Sequence, residues 1–291
     1  MRTRGRFRHS ALVLGLLFLY GPIVSMIVFS FNNSRLVTVW DAANSPTLKW
    51  YSVLLSNEQI LGAAWLSISI AAVTASLSVV LGTIAGLVLA RFGPFRGRAL
   101  LSGLTTAPLV MPEVITGLSM LLLFVVLEQA IGWPDGRGFV TITIAHVTFC
   151  LSYVTVVVQS RLAGFDDSLE EAALDLGARP ARVFFSITLP LILPAIVSGW
   201  LLAFTLSWDD VVISQFVAGP SASTLPMVIF SKVRLGVSPD VNALASIMVA
   251  VVALCVVCST LWMRRRERRR QLEEQMARDR KSTRLNSSHA N

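Results

Sequence analysis

The sequence predicts an all-α polytopic membrane protein of six transmembrane helices, on three observations. Hydrophobic residues make up 54% of the 291 and charged ones only 14%, which leaves too little polar surface to cover a water-soluble chain of this size. The apolar residues gather into six runs, most of them near or beyond the roughly 20 residues a helix needs to cross a bilayer. Basic residues outnumber acidic ones by eight and concentrate at the chain ends and in alternate loops. That pattern orients a membrane protein and argues against nucleic acid as a partner.

Each run justifies its own element. The first, at about 11–31, follows Arg2, Arg4, Arg6 and Arg8; it begins like a signal peptide but is long enough to span, and no small-residue cleavage site follows it. A polar stretch from Asn32 to Gln59 contains Pro46 and Trp50 and is expected to form an outer loop with an interfacial helix near Trp50–Leu55. The second run, at about 63–90, carries Gly82 and Gly86 at the spacing that lets two helix backbones approach closely. Arg91, Arg96 and Arg98 follow in a short Gly/Pro loop.

The third run, at about 100–127, is interrupted by Pro108 and Pro112 and carries Glu113. A charge at the bilayer centre costs about 2.5–3.5 kcal/mol on the lenient insertion scale, so Glu113 should face protein or water. The fourth, at about 140–158, holds His146, whose ordinary role at such a place is a hydrogen bond to a neighbouring helix. The fifth, at about 191–217, contains Trp208, Asp209 and Asp210, and the sixth, at about 243–263, ends in the Arg264–Arg270 cluster. Cys150, Cys255 and Cys258 all fall in apolar runs and are expected as small buried thiols. The CxxC spacing of the last two has no second ligand pair, so neither a disulfide nor a metal site is expected.

An even number of spans returns the chain to its starting side. The N-terminus, the Arg91–Arg98 loop, the Arg161–Arg182 segment and the Arg264–Arg270 cluster hold most of the basic residues, against Arg35, Lys49, Arg137, Lys232 and Arg234 opposite. Both termini are therefore expected in the cytoplasm. The membrane domain is read as 1–270 and a polar tail as 271–291, whose end from Arg280 resembles translated adapter sequence and is set aside.

The polar segment 162–190 lies between the fourth and fifth spans. Ser168 and Glu171 have the spacing of a capping box. Leu169, Ala172, Ala173 and Leu176 fall on one face of the short helix that would follow. Gly177 suits a left-handed C-terminal cap, and Pro180 suits the first turn of a second short helix ended near Pro190.

Glu171-Ala172-Ala173, Gly177, Ile187 and Leu189-Pro190 resemble, without gaps, the EAA motif of permease subunits of ABC importers with the type I fold. The resemblance extends through Pro108–Pro112, Ser207–Val212, Thr224–Met227 and Asn242–Ala245, where the chain is most similar to the putrescine and spermidine permease subunits. It implies a type I ABC-importer permease fold in the cytoplasmic (inner) membrane with a cytoplasmic coupling helix. It also implies that Glu171, Ala172, Ala173, Gly177, Leu189 and Pro190 couple this chain to nucleotide-binding ATPase subunits. The further implied partners are a second permease subunit, expected as a heterodimer mate, and an extracytoplasmic substrate-binding protein. No G-x-x-x-x-G-K-[S/T] phosphate loop occurs in the chain, so no cofactor of its own is expected and ATP should bind the partner. A transport subunit rather than an enzyme is expected.

The cargo argument rests on Glu113, Asp209 and Asp210. Along helices, Glu113 falls about 20 Å and Asp209 about 20–29 Å from the cytoplasmic starts of their spans, in the outer half. Fixed negative charge on a water-lined route attracts organic cations, and Trp208 adds a possible cation–π contact. The competing reading has these acids pair with the other permease or hold helix positions. The expected function is ATP-driven import of polyamines, putrescine with or without spermidine, the alternative being another small solute. An ion-coupled secondary transporter would also use membrane carboxylates and His146, but it needs no EAA loop and usually shows two related halves. A membrane hydrolase would need a nucleophile with its base or metal ligands, and no convincing set is present.

Overall fold

The computed structural model describes residues 2–36, 39–164, 166–220, 222–236 and 238–289. In chain order its first six helices are α1 (Arg2–Ser30), α2 (Lys49–Leu55), α3 (Glu58–Arg91), α4 (Arg98–Val110), α5 (Glu113–Ile131) and α6 (Phe139–Ala163). They are followed by α7 (Ser168–Asp175), α8 (Pro180–Val183), α9 (Leu189–Trp208), α10 (Val212–Val217), α11 (Leu225–Leu235) and α12 (Pro239–His289). Among the described residues there is no strand. Six helical stretches are long and apolar enough to cross a membrane: Arg8–Ser30, Glu58–Arg91, Glu113–Ile131, Phe139–Ala163, Pro180–Trp208 and Pro239–Arg265.

The chain divides into two compact units, Met1–Ser56 with Val237–Asn291, and Asn57–Gly236. In the first, α12 packs against α1 and α2. The expected interfacial helix is α2, and it is tied inward: Trp50 is buried and donates its indole N–H to the Asn32 carbonyl at 2.7 Å, while the Tyr51 hydroxyl lies 2.7 Å from Ser30 Oγ. Helix α12 continues past the expected end of the sixth span, because the Arg-, Glu- and Gln-rich sequence after Met263 consists of good helix formers. Cys255 and Cys258 are exposed on α12, unlike Cys150, which is buried.

The core of the second unit lies among α3, α6 and α9 and includes Ile70, Ile142, Val154, Val158 and Ile192. The two glycines of α3 explain how close the helices come. A Cβ at Gly82 would sit 2.8 Å from the Cβ of Val154, and one at Gly86 would sit 3.2 Å from the Thr155 carbonyl oxygen.

Two expected spans are broken. The third was expected as one element over 100–127, but α4 stops at Val110, Met111 is extended at φ −74°, ψ 136°, and α5 starts anew at Glu113. Proline is the cause, since Pro112 disfavours helical backbone in the residue before it. Only α5 of this pair is long and apolar enough to span; α4 packs on α6. The fifth was expected as continuous over 191–217, but α9 ends at Trp208 and α10 begins at Val212.

At its other end the fifth span is longer than expected. Helix α8 does not stop near Pro190 but runs through a π-helical turn, Phe184–Thr188, directly into α9. Pro190 has no N–H for the ladder, and the Leu189 N–H reaches the Phe184 carbonyl five residues back, so the wider turn carries the chain past the proline without ending the helix.

Candidate functional site

The break between α9 and α10 is organised by Asp210. Its Oδ1 accepts the Ile213 N–H at 3.2 Å and its Oδ2 accepts the Ser214 N–H at 2.7 Å, which caps α10. The same Oδ2 lies 3.1 Å from His146 Nε2 on α6. His146 Nε2 is also 3.1 Å from Ser214 Oγ, and its Nδ1 is 2.8 Å from Ser207 Oγ. The side chains of His146 and Asp210 are only 2% and 6% exposed. A buried carboxylate is tolerated where such partners replace its water. Neither Ser207 nor Ser214 was expected as a partner of His146, although an aspartate three residues before Ile213 is a recognisable helix-start signal.

The structure thus separates two acids that the sequence places side by side. Asp209 is exposed, while Asp210 is turned into the fold. Trp208 ends a stacked series on α9, its ring 6.2 Å from that of Phe204, which is 5.3 Å from that of Trp200. Glu113 is exposed in the first turn of α5, where the unpaired N–H groups of a helix start favour a carboxylate. One turn further, α5 crosses α10: a Cβ on Gly117 would lie 2.7 Å from the Phe216 ring and 3.3 Å from the Ile213 Cα. Glu113 is four residues before Gly117, about 6 Å along the helix, and Asp209 is four residues before Ile213. Each exposed carboxylate thus lies four residues ahead, in sequence, of a residue at that crossing.

Helix α7 is a different kind of site. Gly177 has φ +82°, its N–H reaches the Leu174 carbonyl at 2.9 Å, and the Ala178 N–H reaches the Ala173 carbonyl at 3.0 Å. This is the paired bonding of a left-handed helix end, as expected. The expected capping box is not formed. The helix starts one residue earlier, with Asp167 at the N-cap, so Ser168 is already inside the first turn, and its N–H donates to Asp166 Oδ1 at 3.0 Å. Hydrogen bonds from the hydroxyl and then the N–H of Ser168 hold the Asp166 carboxyl below the usual carboxylate range.

No residue of α7 is buried. Leu169 and Leu176 are 50% and 89% exposed, Glu171 and Ala172 are exposed, and Ala173 is half-buried. Leu189 is half-buried and Pro190 exposed at the start of α9. The attachment of α7 to the membrane helices is polar. Glu170 accepts a hydrogen bond from the Thr188 hydroxyl and lies 3.4 Å from Arg91, which also pairs with Asp167. In the sequence Arg91 stood out only as a loop charge and Glu170 only as an acid on the polar side of the helix, with nothing to pair them.

At the opposite end of this unit are two cavities. One of about 590 Å³ is lined by Glu58, Gln59, Trp65, Ser69, Phe139 and Ser223 among others. The other, of about 760 Å³, is lined by Gln59, Gln215, Ser231, Lys232 and Arg234 among others. Neither includes Glu113, Trp208, Asp209 or Asp210. Among the described residues no three His, Cys, Asp or Glu side chains converge as metal ligands.

Six helices long and apolar enough to span, the third starting and the fifth ending beside acidic residues, with an exposed helix between the fourth and fifth, describe an integral membrane protein. The chain belongs to the family of binding-protein-dependent transport system inner membrane components, which it matches over residues 78–272. It is 54% identical over 276 residues, 95% of this chain and 97% of the relative, to the putrescine transport system permease protein PotI of Escherichia coli strain K12. It is 42% identical over 244 residues, 84% of this chain and 89% of the relative, to the spermidine/putrescine transport system permease protein PotC of the same strain. Among solved structures it shares its fold with a chain of a bacterial ABC transporter involved in import of the acidic polysaccharide alginate. That match has a TM-score of 0.68 at 16% identity and covers 89% of this chain and 95% of the other.

Proposed function

We infer that this chain is a permease subunit of an ATP-driven importer that carries polyamines, putrescine foremost, across the inner membrane. The observation that carries this reading is the similarity to PotI, 54% identical over nearly the whole of both chains. Hydrolysis of ATP falls to nucleotide-binding subunits docked on α7, cargo delivery to an extracytoplasmic binding protein, and closure of the route to a second permease subunit. The exposed stripe of α7 supports the first assignment: Leu169, Ala172 and Leu176 are uncovered and offer an apolar face to a groove on another protein. Glu171, Ala172, Ala173, Gly177, Leu189 and Pro190 form the coupling segment. The basic loops favour cytoplasmic placement of α7 and of both termini.

Glu113, Asp209 and Trp208 line this chain's share of the cargo route. Exposed carboxylates on segments that lead into the α5–α10 crossing replace part of the water around an ammonium group, and a Trp face offers cation–π attraction of about 0.5–2 kcal/mol. Asp210 holds the break that presents Asp209. Alginate in the name of a structural neighbour does not weigh against a cationic cargo, since at 16% identity only the fold is shared. The test is uptake of labelled putrescine, spermidine and a neutral solute by vesicles containing the reconstituted complex. Amine uptake that depends on ATP and falls on Asp209→Asn supports the reading; equal uptake of all three solutes overturns it.

A further inference from the structure

Helix α7 has no buried residue, so apart from the half-buried Ala173 a force applied to it by another protein reaches the membrane helices through the chain itself or through polar side chains. The covalent route is the turn at Gly177–Pro180, which leads into α8, the π-helical turn and α9. It does not lead to α3, which ends at Arg91, far away in sequence. Arg91 closes that gap. Its guanidinium pairs with Asp167 at the N-cap of α7 and lies 3.4 Å from Glu170 Oε1, one turn into the helix. A guanidinium can engage two acceptors at once in a fixed planar geometry, which holds orientation as well as distance.

The same Glu170 oxygen accepts a hydrogen bond from the Thr188 hydroxyl. Thr188 is 4% exposed and is the last residue of the π-helical turn at the head of α9. Glu170 is thus the node between α3 and α9, and these two helices pack on each other and on α6 in the core. The side chains of Arg91 and Glu170 are 21% and 22% exposed, sheltered more than an open surface pair and less than a buried one. The π-helical turn adds a place where the ladder already runs in a different register, and such turns recur at functional positions.

We propose that Arg91, Glu170 and Thr188 form a latch that passes displacement of α7 into α3 and α9 together, so that these three are positioning residues for coupling. The proposal rests on the reading of α7 as the ATPase docking helix and adds what happens behind it. Glu171, the acid of the EAA triplet, faces outward and serves docking; Glu170, its neighbour, faces inward and serves transmission.

The experiment measures amine taken up per ATP hydrolysed by the reconstituted complex, matched for ATPase subunit content. Thr188→Val removes one hydroxyl at constant volume, Arg91→Gln removes the charge, Arg91→Lys restores it, and Ser186→Ala removes an exposed hydroxyl from the same turn as a control. The latch predicts that Thr188→Val and Arg91→Gln each lower the ratio by about five-fold or more, the lower range of energetic coupling between sites. ATPase content and basal hydrolysis stay near wild type, Arg91→Lys recovers part of the ratio, and Ser186→Ala leaves it unchanged. Should Arg91→Gln fail to assemble, Thr188→Val carries the test alone. An unchanged ratio in Thr188→Val, or equal losses in Thr188→Val and Ser186→Ala, overturns the latch. A wild-type complex that hydrolyses ATP without moving amine overturns the transport reading itself, and the latch with it.

Discussion

The polar centre at the α9–α10 break and the polar segment around α7 belong to the same unit yet are built in opposite ways. His146 and Asp210 are 2% and 6% exposed and find their partners in Ser207, Ser214 and the first turn of α10. At α7 two of the acids, Glu170 and Asp167, are tethered to Arg91, while the apolar residues Leu169 and Leu176 stand 50% and 89% exposed. In an isolated water-soluble domain the arrangement would be reversed. The first region is complete within the chain, so substitutions there act on folding. The second is half of an interface, so substitutions there act on association.

The largest effect is expected at the complete site. Asp210→Ala removes the cap of α10 and leaves His146 with one fewer partner inside the protein, a loss of about 3 kcal/mol from the two causes together. Thermal unfolding of the purified chain in detergent reads this; a change under about 0.5 kcal/mol would show that the network contributes nothing to folding and would dissolve the contrast. Next comes Gly82→Leu, which forces a side chain into the space held by Val154 and should cost about 2 kcal/mol as overpacking. Gly103→Leu on α4, where a Cβ meets nothing within 4 Å, is its matched control and should be tolerated. Equal melting of the two variants would mean that the close approach of α3 and α6 is not under packing strain.

Gly177→Ala sharpens the comparison at the edge of α7. Alanine at φ +82° costs about 1–2 kcal/mol, but no α7 side chain is buried, so the penalty should stay local. Hydrogen exchange is the suitable measurement: amides of α7 should exchange several-fold faster while those of α6 and α9 stay protected. Faster exchange throughout the unit would make α7 part of the core instead.

Much of this division was legible in the residues, and the reasons for the exceptions are physical. Apolar run length announced six helices long and apolar enough to span, because bilayer thickness imposes that length on any sequence. The glycines of α3 and the left-handed end at Gly177 were legible because each answers a steric demand that few other residues meet. The breaks were less so. Pro112 announced one, but the chain crosses Pro190 without stopping by widening a turn, so a proline alone does not decide between an end and a detour. Asp209 and Asp210 had only a helix-start cue to tell them apart, since the partner that holds Asp210 inside, His146, lies far earlier in the chain. The Arg91–Glu170 pairing was hidden for the same reason: pairing across distant sequence leaves no local period.

The smallest expected effect on stability is at Leu176, and it is the most informative about α7. Its side chain is 89% exposed, so Leu176→Ser removes almost no apolar contact within the chain and should change stability by less than about 0.5 kcal/mol. If the stripe fills a groove on the ATPase subunit, the same substitution leaves that groove facing a hydroxyl, and a buried leucine side chain is worth about 1.5–3 kcal/mol. Co-purification of the ATPase should therefore fall by about ten-fold or more from a permease that melts like the wild type. Loss of melting temperature with retained co-purification would be the opposite result, and it would place Leu176 among the folding residues with Asp210. The two readouts move independently only if the exposed leucine is exposed for a partner, which is what distinguishes α7 from the buried break.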